Sequence, residues 1–212
     1  MSYPRGWFSS WDMGAYRQIV GGLRSGAYMV EVGPYCGRSI CSVAEELKML
    51  DVRVLLVDAF CGDDRDAQIV AAKSGDRVLP TGTVRSELEE NLCRYGIDDR
   101  CTVLGAWSEE GAASVADDAH DLVFIDTEHT YEGTVRDVRA WAPKVREGGL
   151  MAGHDYKKHG GGSMYSEMRR GLYEIFGEDA VHKPKSKAAQ QSTIWVVDDI
   201  EAIRSAADTE AT

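Results

Sequence analysis

No apolar run in this sequence approaches the ~20 residues that a bilayer-spanning helix requires, and Met1 to Asp12 lack the apolar core of a secretory leader. The chain therefore reads as soluble and cytoplasmic, with no membrane partner. An excess of positive charge is also missing: 24 Lys and Arg stand against 35 Asp and Glu, a formal net charge of −11. A surface of that sign repels phosphate backbones, which argues against nucleic acid as a partner. A local basic patch stays open in the last third, where Lys157, Lys158, Arg169, Arg170, Lys183, Lys185 and Lys187 lie. The five cysteines, Cys36, Cys41, Cys61, Cys93 and Cys101, are odd in number and form no Cys-x-x-Cys pair. Reduced thiols are expected, rather than a disulfide framework or a zinc site. Internal repeats and low-complexity blocks are absent as well.

What is present is an alternation of strands and helices. A chain of 212 residues suits one domain. It is read as residues 1–203, with an N-terminal arm and helix in 1–25 and a fraying tail over 204–212. Short apolar runs predict strands at Tyr28 to Val32, Val52 to Val57, Cys101 to Leu104, Leu122 to Ile125, Leu150 to Ala152 and Ile194 to Val197. A weaker strand is expected around Ala180 to His182. Two of the runs do not alternate apolar with polar, which means burial on both faces, as in a parallel sheet covered by helices. Between them, Ile40, Val43, Ala44 and Leu47 fall on one helical face, as do Leu88, Leu92 and Tyr95. Val135, Val138 and Ala142, closed by Pro143, form a third face, and Met164, Met168, Leu172 and Ile175 a fourth. An opening helix is expected over Met13 to Leu23. This order predicts an α/β fold: a single Rossmann-like, doubly wound, mainly parallel seven-stranded sheet with helices on both faces. In such sheets ligands bind beyond the carboxyl ends of the strands.

The first strand runs into Glu31-Val32-Gly33-Pro34-Tyr35-Cys36-Gly37-Arg38-Ser39. Gly33 allows a tight turn, and Gly37 lets a helix begin close to a ligand, with free N–H groups that suit a carboxylate. This is not the dinucleotide pattern GxGxxG, because Tyr35 stands where a pyrophosphate needs glycine. The spacing Glu-x-Gly-x-x-x-Gly resembles motif I of S-adenosylmethionine-dependent methyltransferases. The resemblance implies that Glu31 lies near the methionine amino group of that cofactor, with Tyr35 and Ser39 in the same loop. Asp58 ends the second strand at about the ~20-residue distance expected of a carboxylate that grips a ribose diol. After the third strand, Ala106, Trp107 and Ser108 occupy the region that borders the adenine in that family.

The fourth strand ends in Phe124-Ile125-Asp126-Thr127-Glu128-His129, and the fifth in Ala152-Gly153-His154-Asp155-Tyr156. Neighbouring strands lie about 5 Å apart, so Asp126 and Asp155 would share a cleft. Two carboxylates that close repel, and a bound divalent cation relieves them. With His154 as a third ligand, such a site suits Mg²⁺ or Mn²⁺. From about Val30 to Tyr156 the chain resembles the methyltransferase family that includes the macrocin and mycinamicin sugar O-methyltransferases. The resemblance implies metal ligands at Asp126 and Asp155, with His154 at the adjacent position, where those relatives usually carry an acid. It further implies His129 as the general base beside Asp126, acting on a small hydroxylated acceptor.

Other readings stay open. The cluster fits a metal-dependent hydrolase or hydroxylase, and the fold alone fits a non-catalytic nucleoside-binding module. Sugar, catechol and other hydroxylated acceptors are not distinguished, and a homo-oligomer is left open. The aromatic N-terminus, with Tyr3, Trp7, Phe8 and Trp11, reads as a lid or a dimer contact. Tyr156 to Ser163 reads as a mobile loop over the site or a connector in which Ser163 caps the next helix. His120, His159 and His182 are expected at the surface.

Overall fold

The structure is a computed structural model and describes residues 3–60, 83–160, 162–185 and 189–208. Cys61, Gly161, Lys187 and the tail from 209 lie outside the described residues. Helix α1 (Ser10–Gly21) precedes β1 (Tyr28–Val32), α2 (Arg38–Ser42), α3 (Ala44–Met49) and β2 (Arg53–Asp58). Then come α4 (Thr83–Tyr95), β3 (Cys101–Gly105), α5 (Ser108–Ala113), β4 (His120–Ile125) and α6 (Tyr131–Trp141). The chain continues through β5 (Val145–Gly153), α7 (Ser163–Phe176), β6 (Trp195–Val197) and α8 (Ile200–Asp208).

The sheet order is β3-β2-β1-β4-β5-β6. The first five strands are parallel, and β6 runs antiparallel to β5. All six residues of β4 are buried. Side chains of successive strand residues point to opposite faces, so each central strand feeds two cores. Met29, Leu122 and Phe124 pack with Tyr16, Ile40, Leu47 and Leu88 under α1 to α4. Val30, Val123 and Ile125 pack with Trp141, Leu172 and Trp195 under α6 and α7.

Register decides what emerges together. Val32 pairs with Val57 and with Ile125, and Ile125 pairs with Gly153. The ladder continues one residue further, where Gly33, Asp126 and His154 donate their N–H groups to Val57, Val32 and Ile125 at 2.8, 2.8 and 3.1 Å. Gly33, Asp58, Asp126 and His154 thus leave the sheet along one edge. The strand order reverses between β1 and β4, and a crevice opens there.

Four local expectations need correction. The seventh strand is reduced to one bridge, His182 to Val196. Pro184 follows two residues later and has no N–H to extend the ladder. The helix expected through Ile40 and Leu47 is two helices, separated by Val43 at φ −112° and ψ 16°. Arg17 donates to the Ser42 carbonyl at 2.9 Å, which takes that acceptor out of the helical ladder. Ser163 is the first residue of α7 and Gly162 occupies the cap. His120 is buried in β4, with Nδ1 3.3 Å from the Lys144 carbonyl oxygen, and burial lowers its pKa.

Candidate functional site

Two cavities open along the strand-end edge. The first, about 490 Å³, runs from Gly33 and Tyr35 past Asp58 to Ala106, Trp107 and Ser108, with Asp126 on its wall. Gly33 has φ +87°, and a Cβ there would stand 2.0 Å from the Asp126 carbonyl oxygen. Only glycine lets β1 and β4 leave the sheet this close together. Asp58 accepts from the Phe60 N–H at 2.8 Å and the Tyr35 N–H at 3.3 Å. These bonds oppose the burial that raises its pKa. Trp107 is 61% exposed at the mouth. The Ser108 hydroxyl accepts from the Trp141 indole at 3.0 Å and so ties α5 to α6.

Three of the expected loop residues do not line the first cavity. Glu31 is fully buried and lines neither cavity. It accepts from the Tyr16 hydroxyl at 2.8 Å and from Ser39, and burial pushes its carboxyl up to about 7. Ser39 borders the second cavity, but its hydroxyl points to Glu31. Gly37 lines neither cavity; at φ +84° it gives room to Leu88, whose Cδ1 would be 2.8 Å from a Cβ.

The second cavity, about 670 Å³, has apolar walls and a polar floor. Trp7, Phe8, Tyr35, Met164 and Tyr165 form the walls. Asp126, His129, His154 and Asp155 form the floor. The N-terminal arm is held over it by Arg38, which donates to the Pro4 and Phe8 carbonyls at 2.7 Å each. Arg5 pairs with Glu87 at 3.1 Å. Trp7, Gly33, Tyr35, Asp126 and His129 border both cavities, so matter held in one meets matter held in the other there.

On the floor, His154 Nδ1 lies 3.6 Å from Asp126 Oδ1 and 3.4 Å from Asp155 Oδ2. His129 Nε2 lies 2.8 Å from Asp155 Oδ2, while its Nδ1 is buried without a hydrogen-bond partner. Asp155 turns the chain at φ +58°. Burial works against its charge, yet the two imidazoles hold its carboxyl well below the usual range. Burial likewise pulls both imidazoles down, but the surrounding carboxylates win and raise His129 and His154. Donor atoms from Asp126, His154 and Asp155 lie within 4.8 Å of one another. Two carboxylates and an imidazole converging at that distance fit a divalent cation of the oxygen-preferring kind.

Trp7 and Phe8 are cavity walls, which agrees with the lid reading of the arm. Sequence reading missed several other contributors. Arg136 and Asp137 border the first cavity from α6. Asp12 and Thr193 stand behind His154, at 3.3 and 2.9 Å from its Nε2. Ser9-x-x-Asp12 is a readable helix-start signature, and the structure has that capping box. Its reach to His154 exists only in the folded chain.

Comparison with known proteins places this arrangement. Residues 30–156 match a family described as a methyltransferase domain. Among solved structures, cofactor-bound Rv0187 from MTB superposes with a TM-score of 0.63 at 15% identity, covering 93% of this chain and 84% of its own. A candidate caffeoyl-CoA O-methyltransferase from Staphylococcus aureus gives 0.62 at 12% identity, with 91% and 84% covered. Mitomycin 7-O-methyltransferase MmcR gives 0.51 at 16%, with 87% and 52% covered. At these identities the structures speak for the fold. No curated protein sequence matches the chain.

Proposed function

Since the chain belongs to this methyltransferase family, and is an S-adenosylmethionine-dependent enzyme, we propose that it methylates a hydroxyl group of a small molecule with the help of a divalent cation. One observation carries the reading: the two cavities share the wall at Trp7, Gly33, Tyr35, Asp126 and His129.

The cofactor belongs in the first cavity. Asp58 would hold its ribose hydroxyls, since a carboxylate accepts two protons at once, and Ala106 to Ser108 would border its adenine. S-adenosylmethionine supplies an activated methyl group, whose carbon–sulfur bond breaks, leaving the electron pair on sulfur, as the new carbon–oxygen bond forms. The acceptor belongs in the second cavity. Trp7, Phe8, Tyr35, Met164 and Tyr165 suit its apolar face, and the floor suits its hydroxyls. Asp126, His154 and Asp155 would hold Mg²⁺ or Mn²⁺, which lowers the pKa of a bound hydroxyl.

His129 is the base in this reading. Its Nε2 rests on Asp155, which orients the ring. The imidazole borders both cavities and would take the acceptor proton. The remaining contribution is positioning, because the donor is already activated.

Calorimetric titration with S-adenosylmethionine, with and without Mg²⁺ or Mn²⁺, tests the reading. Binding that Asp58→Ala weakens is the expected result, followed by methyl transfer to a panel of catechols and sugars. Binding that Asp58→Ala leaves unchanged removes Asp58 from the cofactor site. Tight cofactor binding with no cation effect on transfer removes the cation from the reading.

A further inference from the structure

The floor of the acceptor cavity has a back side. His154 is 4% exposed, and the Phe8 ring lies 4.9 Å from its own, centroid to centroid. Its Nδ1 faces Asp126 and Asp155. Its Nε2 faces the other way, to Thr193 Oγ1 at 2.9 Å and Asp12 Oδ2 at 3.3 Å. Asp12 is 3% exposed and belongs to α1. Thr193 gives Asp12 Oδ1 both its N–H, at 2.7 Å, and its hydroxyl hydrogen, at 3.2 Å.

These bonds fix a direction. Once the Thr193 hydroxyl donates to Asp12, it has only lone pairs to offer His154. Nε2 must then be the nitrogen that carries hydrogen. Nδ1 then faces the two carboxylates, which favour positive charge between them. A proton on Nδ1 supplies that charge, and a cation that takes the proton's place is held by both carboxylates and the freed lone pair.

We propose that Asp12 is a positioning residue for a divalent-cation site at Asp126, His154 and Asp155, fixing His154 Nε2 as donor and Nδ1 as ligand. The proposal rests on the cation reading above. A carboxylate behind a ligand histidine sets the ring's tautomer and orientation and makes the nitrogen a better ligand. Asp12 has a second task that explains its burial at a helix start. Its Oδ2 accepts from the Ser9 N–H at 2.9 Å in the capping box of α1. The same carboxylate therefore joins the cation site to the helix that follows the arm.

The test is Mn²⁺ titration of the full chain, read as the electron-spin signal of free Mn²⁺, without acceptor. Wild type is compared with Asp12→Asn, Thr193→Val and Ser9→Ala. Asp12→Asn is expected to weaken Mn²⁺ binding about 10- to 100-fold, and Thr193→Val less. Ser9→Ala removes a hydroxyl that donates to Asp12 Oδ2 and loosens the helix cap, so it should lower Tm and weaken Mn²⁺ binding less than Asp12→Asn. S-adenosylmethionine affinity should hold in all of them. Wild-type Mn²⁺ affinity in both Asp12→Asn and Thr193→Val overturns the proposal. So does a loss in Ser9→Ala as large as in Asp12→Asn, since that loss would be structural. If Asp12→Asn does not fold, Thr193→Val decides, because it keeps the cap and the backbone bond to Asp12. A wild-type chain that binds S-adenosylmethionine but neither Mn²⁺ nor Mg²⁺ overturns the cation reading, and this proposal with it.

Discussion

The two cavities are built by different means. Most of the first lies at the ends of β1 to β4 and in the loops and helix starts that follow them, where strand pairing sets positions to within a residue. The second takes its floor from β4 and β5 but its walls from the N-terminal arm and the start of α7. The arm is held by side-chain contacts, among them Arg38 to two carbonyls, Arg5 to Glu87 and Arg17 to the Tyr3 hydroxyl, and by Phe8 in the core. A sheet edge is rigid and suits an invariant ligand. An arm is cheap to alter and suits whatever the enzyme modifies. The division predicts that changes to the backbone at the strand ends disturb both cavities, and that changes on the arm weigh more on the acceptor than on the cofactor.

The largest expected effect lies on the shared wall. His129→Ala should lower turnover about 10²- to 10⁴-fold and leave cofactor affinity unchanged by calorimetry. Unchanged turnover would remove His129 as the base. Gly33→Ala comes next: positive φ alone costs roughly 1–3 kcal/mol, and the new Cβ overlaps the Asp126 carbonyl. Urea unfolding should show the loss, and both cavities should fail together. A variant that loses only acceptor binding would break the claim that this edge serves both.

Glu31 sharpens the contrast because it sits behind the sheet edge. Its carboxyl titrates near 7 when folded, against an ordinary 4.5. Between those values the folded state keeps a proton that the unfolded chain has released. Stability therefore falls as pH rises through that window, by ~3 kcal/mol in all. Glu31→Gln should flatten this fall, seen as unfolding midpoints at pH 5 and 7.5 that lie closer together than in wild type. Loss of cofactor affinity in the same variant would assign Glu31 to the cofactor site. The smallest effect is on the arm. Trp7 borders both cavities, and Trp7→Ala should raise acceptor KM by a factor worth ~1 kcal/mol and weaken the cofactor less. If the cofactor suffers more, Trp7 serves the first cavity before the second.

Periodicity and spacing were enough for the strand ends. Continuous apolar runs mark β2 and β4 as buried on both faces, and two strand-end motifs name Asp58, Asp126 and Asp155 without coordinates. Helix continuity was not legible at Val43, because the bond that interrupts it comes from Arg17 on another helix. The seventh strand failed for a reason that was in the sequence, since Pro184 cannot donate to a ladder.

By itself, the sequence determined the doubly wound order, the single edge from which ligand-facing residues emerge, and the glycine between β1 and β4. These follow from local rules: side-chain alternation, apolar runs and turn chemistry act over a few residues. Only tertiary structure decided that Glu31 turns inward to Tyr16, that Trp7 and Phe8 wall a cavity, and that Asp12 stands behind His154. Each depends on segments far apart in the chain being packed together, and no local pattern encodes which distant side chain will complete a buried hydrogen bond.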